Sequence, residues 1–473
     1  MSAKRNAKHL SQTLGLTLLI LTTHPLAANG QLSDLAATAR DTLDRGVRYF
    51  HSTNSHGGYV YYVTPDLVQR WGEGRVDADT IEVQPPGTPA VGMAFLRAYH
   101  VTQNSDHLRA ARDAAMALVE GQNDLGGWGH TIRFGRAKAN RVSFDDDQTQ
   151  SAIRFLMALD QDITLEPLTQ AIDKALSLML ASQLDNGGWP HMFPARGDYH
   201  DYATFNDQGI NRCIQVMIDA AAYYDKPEYR RCLARVGRFL MISHLPPPQP
   251  GWAQQYNEFL QPAWARDYEP PAVCPQVTVN NLLTLMDLHE FTGQGLYLKP
   301  IPDALRWLGE IRLPNGRWAR FVELGTGDPL YYDRGRIRVP TTQDLHIERR
   351  LGYGYETDLS ANLQKAKDRF QAIRAREGKK PEPEKPRSPQ SIQTSLRRLA
   401  PAVRDTIEAQ DAQGRWVTRK DRFKHAEAGK RWNGEYAEMD RISSAVFIRN
   451  IHRLAEFLEL AQQLEVLSLL KHN

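Results

Sequence analysis

The sequence predicts a mainly α protein, an α/α toroid: a full or incomplete barrel of repeated helix pairs, with short irregular or β segments in its loops. Three observations carry that expectation. Apolar residues recur at helical spacing in paired segments, over 89–122, 151–183, 210–242 and 279–311. Each pair ends in a glycine–tryptophan turn: Gly126-Gly127-Trp128, Gly187-Gly188-Trp189, Gly251-Trp252 and Gly316-Arg317-Trp318. Weaker echoes stand at Gly57-Gly58-Tyr59 and Gly414-Arg415-Trp416, so the period is about 60 to 70 residues. Self-similarity at such a period implies stacked supersecondary units that bury a continuous core between them.

The elements follow in order. Lys4, Arg5 and Lys8 precede a short apolar run at 14–21 and then Pro25-Leu26-Ala27-Ala28. A charged start, a brief apolar run and small residues predict a secretory signal peptide over 1–30 and a secreted or periplasmic protein. The run is too short to span a bilayer, and no membrane association is expected after cleavage. Residues 31–355 form the expected toroid domain. In its first helix pair, Val91, Ala94, Phe95 and Ala98 make one stripe, and Leu108, Ala111, Ala115, Leu118 and Val119 the other. The polar link Thr102-Gln103-Asn104-Ser105 offers a cap for the second helix. In the turns, glycine permits positive φ at a helix end and tryptophan covers the edge of the neighbouring repeat. Trp189 is also a candidate for stacking on a sugar ring. Residues 356–398 read as a charged helix, with Lys365, Lys367, Arg369, Arg374 and Arg376, followed by a proline-rich linker at 381–386; the basic run is expected to be a solvated face. Residues 399–473 resume helical periodicity through Val446, Phe447, Ile451, Leu454, Phe457 and Leu458, as a terminal helical unit packing on the toroid.

With 473 residues, 41% hydrophobic and 24% charged, the chain has an ordinary globular balance. A formal net charge of +3, spread evenly, gives no reason to expect a nucleic-acid partner. Three widely spaced cysteines, Cys213, Cys232 and Cys274, make neither a disulfide framework nor a zinc motif. Cys213 and Cys232 lie in helical patterns and read as buried apolar residues.

Two acidic segments open helices at equivalent places in the repeat: Asp145-Asp146-Asp147 and Asn206-Asp207. Helix capping explains one aspartate well and three poorly, because adjacent carboxylates repel unless a cation or water compensates them. If the two segments converge, Asp145, Asp146 and Asp207 form an oxygen site of the kind calcium takes. Arg266, in Pro262-Ala263-Trp264-Ala265-Arg266-Asp267-Tyr268-Glu269, is either an ion-pair strut or a grip for a carboxylate. Further on, Arg334, Arg336, Arg338, Arg349 and Arg350 are interleaved with Tyr331, Tyr332 and Tyr353, a combination suited to an acidic sugar.

Together these motifs resemble the pectate lyases of the tenth polysaccharide lyase family. The resemblance covers residues 81–355. It rests on Phe144-Asp145-Asp146, Asn186-Gly187-Gly188-Trp189-Pro190, Thr204-Phe205-Asn206-Asp207, Ala265-Arg266-Asp267-Tyr268-Glu269 and Glu348-Arg349-Arg350-Leu351-Gly352-Tyr353, which occur in the family's order. It implies an α/α toroid that cleaves polygalacturonate by calcium-assisted β-elimination. By position, Asp145 and Asp207 match the metal-binding aspartates and Arg266 the catalytic arginine. Arg334, with Arg349 or Arg350, matches arginines that hold substrate carboxylates. The chain departs from the family in having Asp146 where asparagine is usual, Gly129-His130 after the first turn, and a shorter segment between Asp207 and Arg266. Residues 356–473 lie outside the resemblance.

Three rivals remain at this level. A terpene cyclase shares such turns and acidic segments but needs an apolar pocket and is not normally secreted. A glycoside hydrolase on a similar toroid needs a paired acid and base. A non-catalytic acidic-glycan binder, a degenerate lyase, would bind polygalacturonate without turnover.

Overall fold

The computed structural model describes residues 10–376, 387–424 and 432–470, with side chains described from residue 30. The charged start of the expected signal peptide, residues 1–9, and the proline-rich stretch 381–386 lie outside the described residues. Among those described, no helix is long and apolar enough to cross a membrane.

Thirteen α-helices are described. They are α1 (Leu10–Ser52), α2 (Thr88–Thr102), α3 (Ser105–Gly121), α4 (Gln148–Asp160), α5 (Glu166–Ala181), α6 (Gly209–Tyr224), α7 (Pro227–Ile242), α8 (Pro275–Thr292), α9 (Ile301–Glu310), α10 (Ile347–Gly352), α11 (Ser360–Arg376), α12 (Pro389–Glu408) and α13 (Ser444–Leu469). The fold is the mainly α toroid that the periodicity predicts. Helices α13, α2, α4, α6, α8 and α11 lie side by side as an inner layer, and α12, α1, α3, α5 and α7 run behind them. One continuous apolar core fills the space between the layers, from Leu43 and Val47 through Phe95, Phe155, Met217 and Leu285 to Phe447 and Leu454. The C-terminal helices enter this same arc: α12 packs on α1, and α13 packs on both α1 and α2. The charged helix α11 lies against α8, buries Leu363, Ala366 and Ile373, and sets Arg369 against Asp287 and Glu290. Its remaining basic side chains are largely solvated, as expected.

The turns show why the sequence repeats. Each tryptophan is buried and donates its indole N–H to a carbonyl at the end of the preceding helix: Trp128 to Leu118, Trp189 to Met179, Trp252 to Leu240, Trp318 to Leu308 and Trp416 to Thr406, at 2.7–3.0 Å. Except at Trp252, the glycine two residues before it takes positive φ (96° at Gly126, 98° at Gly187). A Cβ there would come within 2.6 Å of the Lys174 carbonyl or 2.5 Å of the Arg235 carbonyl on the next outer helix, so only glycine allows the close approach. In three of these turns a buried glutamine ties the repeat to the next. The Gln122 amide donates to the carbonyls of Gly126 and Ala171, that of Gln183 to Gly187 and Cys232, and that of Gln410 to Gly414 and Thr42. By this equivalence the C-terminal α12 stands before the N-terminal α1 just as α3 stands before α5.

Short antiparallel pairs link successive loops into a collar at one end of the arc: Thr80–Glu82 with Thr131–Arg133, Val142–Ser143 with Met192–Phe193, and Ala203–Thr204 with Gln255–Tyr256. One larger element departs from expectation. Val417–Lys424 and Tyr436–Ser443 form a hairpin in a five-stranded antiparallel sheet with strands at 62–63, 70–71 and 75–76, where helical periodicity was expected throughout. Most of its side chains are polar, so it offers no apolar alternation to read. Cys213, Cys232 and Cys274 are free and buried, as predicted for the first two.

Candidate active site

The collar carries the chemistry. Ser143 Oγ accepts from the amide of Asp145 (3.2 Å), and Thr204 Oγ1 accepts from the amide of Asn206 (3.0 Å). Each chain then turns through the left-handed region, at Asp146 (φ 49°) and Asp147 (φ 59°) in one copy and Asp207 (φ 43°) and Gln208 (φ 66°) in the other. Such conformations are unusual outside glycine and collect at functional sites. They also explain why neither aspartate is the helix cap that its position suggests: neither turn has a side-chain cap bond. Instead one carboxylate oxygen from each of Asp145, Asp146 and Asp207 comes within 4.8 Å of the others. The Asn206 amide donates to Asp145 (3.2 Å) and Asp207 (2.7 Å), stitching the two copies together. Asp147 turns away to Arg212 at 3.6 Å.

The electrostatics follow. Burial pushes the Asp146 carboxyl up to about 7, and the charges of Asp145 and Asp207 push in the same direction. Burial also raises Asp207, opposed by Arg320 and reinforced by Asp145. Crowded carboxylates of this kind suit a divalent cation. The donors are all hard oxygens, the set that calcium prefers, and the nearby histidines are otherwise engaged: His130 with Glu82 at 3.0 Å and His191 with Gln255 at 2.9 Å. The residues present therefore fit calcium.

Facing the acids is a cationic wall on two tyrosines. Arg266 gives Glu269 a bidentate grip, Nε to Oε2 at 2.9 Å and Nη2 to Oε1 at 2.6 Å. Of the two roles open to Arg266 in the sequence, the structure shows the strut, with the carboxylate supplied three residues on. Burial acts to raise Glu269, but the hydrogen bonds and charge of Arg266 hold it at about 2. Burial likewise acts against the Arg266 charge, and Glu269 overrides it, so its pKa stands above that of a free arginine. Arg334 and Arg349 share Glu348, at 2.9 and 2.8 Å, and both lie over the Tyr268 ring. Of the two candidate arginines, Arg349 is buried in this cluster, whereas Arg350 is exposed and reaches the Gln343 carbonyl. Arg350 is thus outside the wall. Trp189 also needs correcting as a sugar platform: its side chain is wholly enclosed, and its N–H is already given to Met179.

Sequence reasoning missed Arg320. It is half-enclosed beside a cavity of about 140 Å³ that Asn206, Asp207, Gln254 and Asn280 also line, with its guanidinium 4.4 Å from the Tyr353 ring centre. The signal was in the repeat. Arg320 lies two residues past the tryptophan of its turn, where the other turns have His130, His191 and Gln254. The carbonyls of those three accept from the amides of Val83, Phe144 and Phe205, so in these three turns the position sits against the turn of the preceding repeat.

Residues 130–228 match the model of the pectic acid lyase family. The match spans both acidic turns and supports the class polysaccharide lyase. The family that the motifs resemble is the one whose model matches. Among solved structures, the chain is similar to the family 10 polysaccharide lyase from Cellvibrio cellulosa, at 19% identity over 59% of this chain and 97% of that one, with a TM-score of 0.49. A mutant of a Cellvibrio cellulosa family 10 lyase in complex with trigalaturonic acid gives 18% identity over 59% and 98%, with the same TM-score. An unsaturated glucuronyl hydrolase specific for heparin gives 9% identity over 91% and 98%, with a TM-score of 0.44. No curated protein matches the chain.

Proposed function

We propose that this protein is a pectate lyase that cleaves polygalacturonate by β-elimination, with calcium as cofactor and Arg266 as base, giving 4,5-unsaturated oligogalacturonates. One observation carries the reading: the carboxylate trio Asp145, Asp146 and Asp207, within the segment 130–228 that matches the pectic acid lyases, faces arginines supplied from beyond that segment. Hydrolysis would use a carboxylic acid and a carboxylate as an acid–base pair, and it would give no unsaturated product.

Asp145, Asp146 and Asp207 would hold the calcium. When bound, the ion withdraws charge from the substrate carboxylate beside C5 and makes the C5 proton easier to remove. Arg334 and Arg349 receive neighbouring sugar carboxylates as planar, bidentate donors. Arg266 takes the C5 proton. The C5–H electron pair becomes the C4–C5 double bond, the C4–O bond breaks, and the departing oxygen takes a proton from water. An arginine base requires a neutral guanidine, so the rate rises into the alkaline range. The N-terminal segment 1–30 is read as a secretory signal, which would deliver the enzyme to the periplasm or beyond, where pectate is met.

The test is ultraviolet absorbance on polygalacturonate at alkaline pH, first with calcium and then with chelator. Growth that chelator abolishes is expected. Binding of polygalacturonate with no growth in absorbance would leave a non-catalytic acidic-glycan binder.

A further inference from the structure

We propose that Glu269 and Arg266 act as a dyad, in which the carboxylate holds the guanidinium through Nε and Nη2 and leaves Nη1 to take the substrate proton. The inference rests on the reading of Arg266 as base. Three donors of Arg266 converge on one carboxylate: the backbone amide (3.1 Å), Nε (2.9 Å) and Nη2 (2.6 Å). Glu269 is 2% exposed, and its Oε1 also accepts from the Tyr353 hydroxyl. The rings of Tyr268 and Tyr353 lie 5.1 and 5.6 Å from the guanidinium carbon and restrict its swing. The arginine side chain is nevertheless 41% exposed, and Nη1 makes no hydrogen bond among the described residues.

A neutral guanidine has one nitrogen that bears a lone pair and no spare proton. Nε and Nη2 keep their protons to satisfy a buried carboxylate, so the lone pair falls on Nη1. The logic is that of a carboxylate choosing the tautomer of a catalytic histidine and then steadying the cation it becomes. In the forward step, the C5 proton moves to Nη1, its electron pair forms the C4–C5 double bond, and the C4–O pair leaves with oxygen. Water protonates that oxygen, and the resulting hydroxide returns Nη1 to the neutral state. The charged and titratable groups around the dyad are Tyr268, Tyr353, Tyr199, His191, Arg320 and Asp207, with Arg334 and Arg349 over the same tyrosine rings. None of them makes a hydrogen bond to Nη1 among the described residues. Glu269 is therefore a positioning residue that also sets where the base titrates.

The experiment measures kcat and KM against pH on polygalacturonate with calcium, for wild type, Glu269→Gln and Glu269→Asp. Glu269→Gln is expected to move the alkaline limb to lower pH, lower kcat about a hundredfold or more, and leave KM within about threefold. Glu269→Asp keeps the charge, so it should retain the wild-type limb and recover part of kcat. A Glu269→Gln enzyme with an unmoved limb overturns the dyad, whatever its kcat. A wild type that makes no unsaturated product overturns the lyase reading and the dyad with it. Should Glu269→Gln fail to fold, nitrogen-15 NMR of the wild type decides: distinct Nη1 and Nη2 signals for Arg266 support the dyad, and a single averaged signal overturns it.

Discussion

At residues 144–149 and again at 205–210 the chain makes one backbone turn with two sets of side chains. In both, a hydroxyl holds the entry, a left-handed aspartate follows (Asp146, then Asp207), and the next inner helix starts. The first copy surrounds its aspartate with Asp145 and Asp147, the second with Asn206 and Gln208. Identical backbones place the carboxylates in register across the repeat boundary, and the unequal neighbours keep the cluster from self-destruction. Where a fourth acid would stand, an amide donates to two carboxylates instead. Duplication sets the geometry, and divergence sets the charge.

The comparison can be broken most severely at its common point. Asp146→Ala and Asp207→Ala occupy the same backbone place, so each should lower calcium-dependent turnover about a hundredfold or more, by an equal order of magnitude. Loss in one alone would show that the copies do not share a metal. The next effect contrasts the acids with the arginine wall. Glu269 is depressed from an ordinary 4.5 to about 2. Its stabilisation is complete above pH 4.5 and disappears as pH falls towards 2. The wild type should exceed Glu269→Gln in urea resistance at pH 6 by an amount of the order of 3 kcal/mol, and the difference should shrink at pH 3. Asn206→Asp makes the second copy more like the first. It exchanges two donated hydrogen bonds for repulsion, at about 1–3 kcal/mol in chelator, and added calcium should restore part of the melting temperature. The smallest effect belongs to the turn itself. Trp189→Phe loses one indole hydrogen bond, about 1 kcal/mol of stability, while KM for oligogalacturonates stays unchanged; a raised KM would reinstate Trp189 as a sugar contact.

Much of this was legible because it repeats. The helix pairs, their stripes and their turns recur often enough that the boundaries of α4 to α9 fall within a few residues of the periodic segments. The convergence of Asp145, Asp146 and Asp207 followed from their equivalent positions. Trp189 misled because a tryptophan beside a candidate sugar site looks like a platform, whereas its constant spacing of ten residues from a helix-end carbonyl, shared with Trp128, Trp318 and Trp416, marks it as structural. Arg320 was hidden in a column whose members differ chemically: His130, His191, Gln254 and Arg320 share a place and no residue type. The paired strands 417–424 and 436–443 were invisible for the opposite reason, since nothing in them repeats.

The Gln410 strut to Thr42 has a consequence for the chain as a whole. It makes the last repeat the predecessor of the first, so the order of units around the arc is a rotation of their order along the sequence. A fragment cut at residue 355 would bare the sides of α1 and α2 that α12 and α13 cover, and should aggregate. A circular permutant that begins at α12 and runs through a short tether into α1 should fold, because every neighbour in space would then also be a neighbour in the chain.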